Sequence, residues 1–259
     1  MEEYRSVHDF GQAVLGKIDL LVDICRRQPD LRLNADDVPL ARVVAAMTSE
    51  TVDAAESTAL LLRQPLVADA CNAARRALEH SVTAAWMANR QSSVEEFARE
   101  TGLRQAVAFK NALTKAGVEI DPGLLAEVPQ EGDIPPRTDP EQAMKWLEKR
   151  CATFHPKLYV LYRLLSSVSH PSALTVYRAY ILAEDNRREV EQIQDAVIVV
   201  AALAAAASTA WAANALHRLD AEPPDKYLKE MRRVEDIARH LGFAPTLLPD
   251  MPDNGLWPI

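Results

Sequence analysis

Apolar positions in this chain recur every three to four residues, the spacing of one face of an α-helix. No segment sustains the two-residue alternation of β-branched side chains that marks a strand. Proline supplies the punctuation. None falls between Pro65 and Pro122 or between Pro171 and Pro223. Helix interiors avoid Pro because its ring removes a donor and clashes with the preceding turn. The pattern predicts helices over about 4–28, 38–63, 66–89 and 93–117. The last opens on a capping box, with Ser93 as cap and Glu96 three residues on. Asp139-Pro140 starts a fifth helix, with Asp as cap and Pro in the first position. His155-Pro156 opens a sixth, which His170-Pro171 ends. A seventh covers about 173–183, an eighth 186–219 and a ninth 223–241. Between the fourth and fifth, residues 118–139 form a Pro-rich loop with six acidic residues against one Arg, Arg137. Residues 242–259 read as an extended tail. The expected fold is all-α: one domain over 1–259, a multi-helix bundle around a central, Ala-rich eighth helix.

Composition narrows this further. There are 41 Ala and 8 Gly. So little Gly excludes a Gly-cradled nucleotide fold, and an apolar share of 48% excludes a disordered chain. No Gly lies between Gly16 and Gly102 or between Gly132 and Gly242, so any site there sits on rigid helices. Residues Ala196 to Leu216 are uncharged, long enough to span a bilayer. Ala dominates that stretch, and Ser208, Thr209 and Asn214 interrupt it, so a buried core helix is expected and no membrane span. The first residues, MEEYRSVHDF, are acidic and lack the apolar core of a signal peptide. Cys25, Cys71 and Cys151 are odd in number and far apart, which fits reduced thiols in a cytoplasmic protein.

The net charge of −8 argues against bulk nucleic-acid binding but permits a local basic patch. Residues 145–163 hold one, with Lys145, Lys149, Arg150, Lys157 and Arg163 against Glu148. Cofactor and metal signals are absent. Gly11 to Lys17 fits GxxxxGK, but Ile18 stands where Ser or Thr would hold magnesium and no strand precedes it. No Cys/His cluster has zinc spacing, and no His follows a Glu by three residues as a di-iron bundle requires. Residues 94–118 can be read as a helix-turn-helix turning at Gly102, with Arg104, Lys110 and Lys115 on its second half.

The strongest constellation lies on the sixth and third helices. Over 156–171 the apolar face holds Leu158, Val160, Leu161, Leu164, Leu165 and Val168. The polar face holds Tyr159, Arg163, Ser166, Ser167 and His170. Arg163 and His170 are seven apart and share a face. A histidine that titrates near neutral pH beside a fixed guanidinium suits phosphodiester chemistry. On the third helix Asn72, Arg75, Arg76, Glu79 and Thr83 form a second polar face with Trp86 at its edge. Trp86 implies that this face is partly covered, and the sixth helix is the expected cover. Glu79 and Arg76 are then expected to share a polar groove with Arg163 and His170, and Tyr159 and Ser167 to line it.

Arg163-x6-His170 resembles the Arg-x4–6-His signature of HEPN-like proteins, small helical bundles many of which are metal-independent ribonucleases. The stretches Arg76 to Trp86 and Tyr162 to Ser172 together look like an uncharacterised all-helical bacterial family. The resemblance implies a ribonuclease or RNA-binding module in stress or phage defence, with no cofactor, acting as a homodimer. It implies that Arg163 binds phosphate and His170 assists proton transfer. Three other readings stay open. One is a protein-interaction module. Another is a small-molecule enzyme using Glu79, His80 or His170 near a pocket of Trp86, Tyr159 and Tyr162. The last is a DNA-reading protein built on 94–118.

Overall fold

The computed structural model describes residues 7–27, 32–33, 38–64, 66–89, 93–94, 97, 101–102, 104–118, 147–148, 150–152, 157–169, 187–220 and 229. Six helices of 12 residues or more run through them: α1 Val7–Arg26, α2 Val38–Arg63, α3 Val67–Ala88, α4 Arg104–Lys115, α5 Lys157–Ser169 and α6 Arg187–His217. No strand occurs among the described residues, and the architecture is an all-α bundle. The predicted seventh helix, most of the ninth, the loop after Val118 and the tail lie outside the described residues, as does Glu96 of the capping box.

The bundle is organised by α6. It packs against α1, α2, α3 and α5, while α2 and α3 share the most extensive helix–helix contact among the described residues. Ala201, Ala202, Ala204, Ala205, Ala206, Ala207, Ala210, Ala212 and Ala213 are all buried. A helix surfaced by methyl groups lets its neighbours' backbones approach closely. The approach is visible between α2 and α6, where the Thr48 hydroxyl lies 3.2 Å from the Ala212 carbonyl. Thr48, Thr51, Thr58 and Thr209 each return their hydroxyl to the carbonyl one turn earlier. Four buried polar groups are thereby satisfied without a partner helix.

Larger side chains fill the space around the Ala-rich surface. Val14, Leu15, Ile18 and Leu21 of α1, with Leu165 and Val168 of α5, close the main core. A second cluster joins Leu40, Val44, Met87, Phe97, Leu216 and Leu219 at one end. A third joins Leu78, Val82, Cys151, Leu158, Ala207 and Trp211 beneath α5. Ile193–His217 is long and apolar enough to cross a membrane, and 72% of its apolar window is buried inside the protein.

Two local features follow from glycine chemistry. Gly11 and Gly16 are interior residues of α1, so GxxxxGK is helix and not a phosphate loop. Gly11 is also buried, and an added Cβ would stand 3.8 Å from Ile198 in ordinary contact. Gly117 ends α4 with φ of 69°. The Val118 amide donates to the Leu113 carbonyl and the Gly117 amide to that of Thr114, a Schellman closure whose left-handed residue favours Gly. Between Ser93 and α4, residues Thr101 and Gly102 form a wider π-type turn within the span predicted as one helix over 93–117.

Candidate functional site

Helix α3 lies between α2 and α5. Its polar positions therefore divide between two neighbours. Consecutive residues on a helix differ by about 100°, so Arg75 and Arg76 cannot serve the same flank. Arg75 and Glu79, one turn apart, reach α5. Arg76 and His80, also one turn apart, reach α2.

On the α5 flank, the Arg75 guanidinium lies over the Tyr162 ring, 5.9 Å from its centroid. Tyr162 hydrogen-bonds Glu79. Burial pushes the phenol of Tyr162 above its usual range, the Glu79 charge and hydrogen bond add to this, and Arg75 and Ser166 oppose it. Tyr162 thus stays a neutral donor to a carboxylate. Tyr159 stacks on Tyr162 with centroids 5.9 Å apart and ring planes 16° apart. The Ser166 hydroxyl donates to the Tyr162 carbonyl at 2.9 Å and the Ser167 hydroxyl to that of Leu164 at 2.7 Å. Around α5 from this flank the order is Tyr162, Ser166, Tyr159 and Arg163. Leu158, Leu165 and Val168 hold the opposite side in the core. Arg163 is exposed and makes no ion pair among the described residues. Val160 and Leu164 beside it are 66% and 42% exposed.

On the α2 flank, Arg76 pairs with Glu50 at 2.6 Å. The groove expected to hold Arg76 together with Glu79 and Arg163 is corrected on that residue: Arg76 is spent on α2. His80 is half-buried, with Nδ1 3.3 Å from the Met47 sulfur. Burial holds its pKa below the usual imidazole value; Glu50 raises it, Arg76 lowers it and Glu79 raises it.

The sixth predicted helix, α5, does cover this face at Arg75, as expected, but the group over Trp86 itself is a different one. Arg150, from the short helical stretch before α5, stands over the Trp86 ring at 4.9 Å and the Phe97 ring at 5.5 Å. Its Nη1 donates to the Thr83 hydroxyl at 3.1 Å. One charge of the predicted basic patch is therefore inserted into an aromatic seam. No sequence spacing signals this contact, because Trp86, Phe97 and Arg150 come from three segments. Next to Arg150, Cys151 is fully buried, and burial pushes its thiol up to about 12. Such a thiol is inert at neutral pH. Trp86 packs with the Met87–Phe97–Leu216 cluster, whereas Tyr159 and Tyr162 pack with the Leu78–Trp211 cluster.

His170 lies outside the described residues, so its position relative to Arg163 rests on their spacing. Lys110 on α4 is half-buried, Lys115 is exposed and Phe109 is 67% exposed. No group of three or more His, Cys, Asp or Glu among the described residues could hold a metal ion. No protein-family model, curated protein or solved structure matches this chain.

Proposed function

We propose that this protein is a HEPN-like helical bundle that acts on RNA through the polar face of α5, as a cytoplasmic homodimer. The observation that carries the reading is the exposed Arg163, held on a helix whose other side is locked in the core. A guanidinium so placed can reach a phosphate without unfolding anything, and its planar fork suits a phosphodiester. In this reading Arg163 binds phosphate and His170, seven residues further along the sequence, takes or gives the proton at the reacting oxygen. No metal is required. Glu79 acts from behind, through Tyr162, by fixing the rotation of α5 on α3. Ser167, one turn after Arg163, lies along the same face.

The test uses labelled single-stranded RNA with excess chelator. The wild-type protein is expected to cleave it. His170→Ala is expected to lower the rate at least 100-fold, the scale of a lost general acid or base, with an unchanged melting temperature. Cleavage at the wild-type rate in His170→Ala would falsify the catalytic part. RNA binding without turnover would leave an RNA-binding module.

The exposure of Val160 and Leu164 favours a second reading, a protein-interaction module that docks a partner on the same face. In that case Leu164→Lys abolishes partner capture and RNA is neither bound nor cut.

A further inference from the structure

We propose that Tyr159 is a stacking platform for one unpaired nucleobase of single-stranded RNA. This rests on the RNA reading above and adds what part of the RNA is recognised. Three observations converge on Tyr159. It is four residues before Arg163, so the two are neighbours on α5, and a nucleotide whose phosphate meets Arg163 brings its base toward the Tyr159 ring. Its inner side is backed by the Tyr162 ring, nearly parallel to it. Tyr162 is in turn fixed by the Glu79 hydrogen bond and the Arg75 guanidinium over its face. Finally, Tyr159 is only half-buried, and nothing among the described residues hydrogen-bonds its hydroxyl.

The chemistry selects the ligand. A stacked aromatic beside a guanidinium is the common solution for binding a base and its phosphate in one step. A base can reach the ring only when it is out of a duplex, because the bases of A-form RNA are stacked and its major groove is narrow. The platform therefore discriminates single-stranded from paired RNA by access, with little preference among bases, since every base presents a π-face. A rigid backing matters here. An aromatic whose supporting ring is already held loses little freedom when a base lands on it.

The experiment measures binding of three probes by fluorescence anisotropy. These are a short fluorescein-labelled oligoadenylate, the same backbone carrying abasic sites, and the oligoadenylate annealed to its complement. Wild-type protein is expected to bind the oligoadenylate about tenfold more tightly than either other probe, the scale of one base–aromatic stack. Tyr159→Leu removes that preference and leaves abasic binding unchanged, while Tyr159→Trp keeps it. Arg163→Ala weakens all three probes alike and reduces their salt dependence. Equal wild-type affinity for the oligoadenylate and the abasic probe overturns the platform and leaves RNA binding standing. That comparison needs no variant, so a failure of Tyr159→Leu to fold does not protect the proposal. No binding of any probe overturns the RNA reading itself.

Discussion

The Ala-rich core around α6 and the seam between α3 and α5 are built on opposite principles. Between Ala201 and Ala213 of α6 the side chains are mostly methyl groups and nearly all buried. Stability there comes from close backbone approach and exclusion of water. In the seam the side chains are large and polar, and each has its own partner: Arg75 with Tyr162, Tyr162 with Glu79, Arg150 with Trp86, Phe97 and Thr83. Added volume is the expected weakness of the Ala-rich core, and a lost polar partner that of the seam. A packed methyl surface can position helices, but only a directional network can fix which way α5 is turned and so which of its residues meet solvent.

The largest effect is expected where this contrast is sharpest. Ala205 is fully buried, and Ala205→Leu should cost about 3 kcal/mol by overpacking, read from the urea midpoint. A cost under about 1 kcal/mol would mean that α6 has room to shift and is not the rigid centre. Arg150→Ala should cost about 2 kcal/mol through two lost ring contacts and the Thr83 hydrogen bond. Arg150→Lys should recover only part of it, because a planar guanidinium stacks where an ammonium does not. Tyr162→Phe should cost about 1 kcal/mol, the net value of the hydrogen bond to Glu79.

The pH dependence separates the regions in another way. His217, 5% exposed at the end of α6, has a pKa held below 6.5 by burial, with Asp220 opposing the shift. The unfolded chain therefore takes up a proton at a pH where the folded protein does not. Stability should fall as the pH drops below about 6.5, and His217→Gln should flatten that slope in acid denaturation. Half-buried His80 is shifted the same way and should add a smaller slope of the same sign. The smallest effect belongs to the exposed Arg76–Glu50 pair, where Arg76→Ala should cost only a few tenths of a kcal/mol. A much larger loss would place Arg76 in a network beyond α2.

Much of this protein can be read from its chain. Period and proline set α2 at the same bounds as predicted and α3 within a residue at each end. The Ala content between Ala201 and Ala213 marks α6 as the helix others pack against. These are local or compositional properties, and they survive without knowing any neighbour. The split of α3's polar face into Arg75–Glu79 and Arg76–His80 is different in kind. A helical wheel places Arg75, Arg76 and Glu79 on one polar arc; only the presence of α2 on one side and α5 on the other divides them. The seat of Arg150 is further still from the sequence, since its three partners come from two other segments. The chain alone determined which residues are helical and which faces are apolar, because backbone geometry and the hydrophobic effect act locally and by pattern. Tertiary structure decided which charges are paired and that Arg163 stays in solvent, because pairing depends on distances between helices that no spacing along one helix encodes.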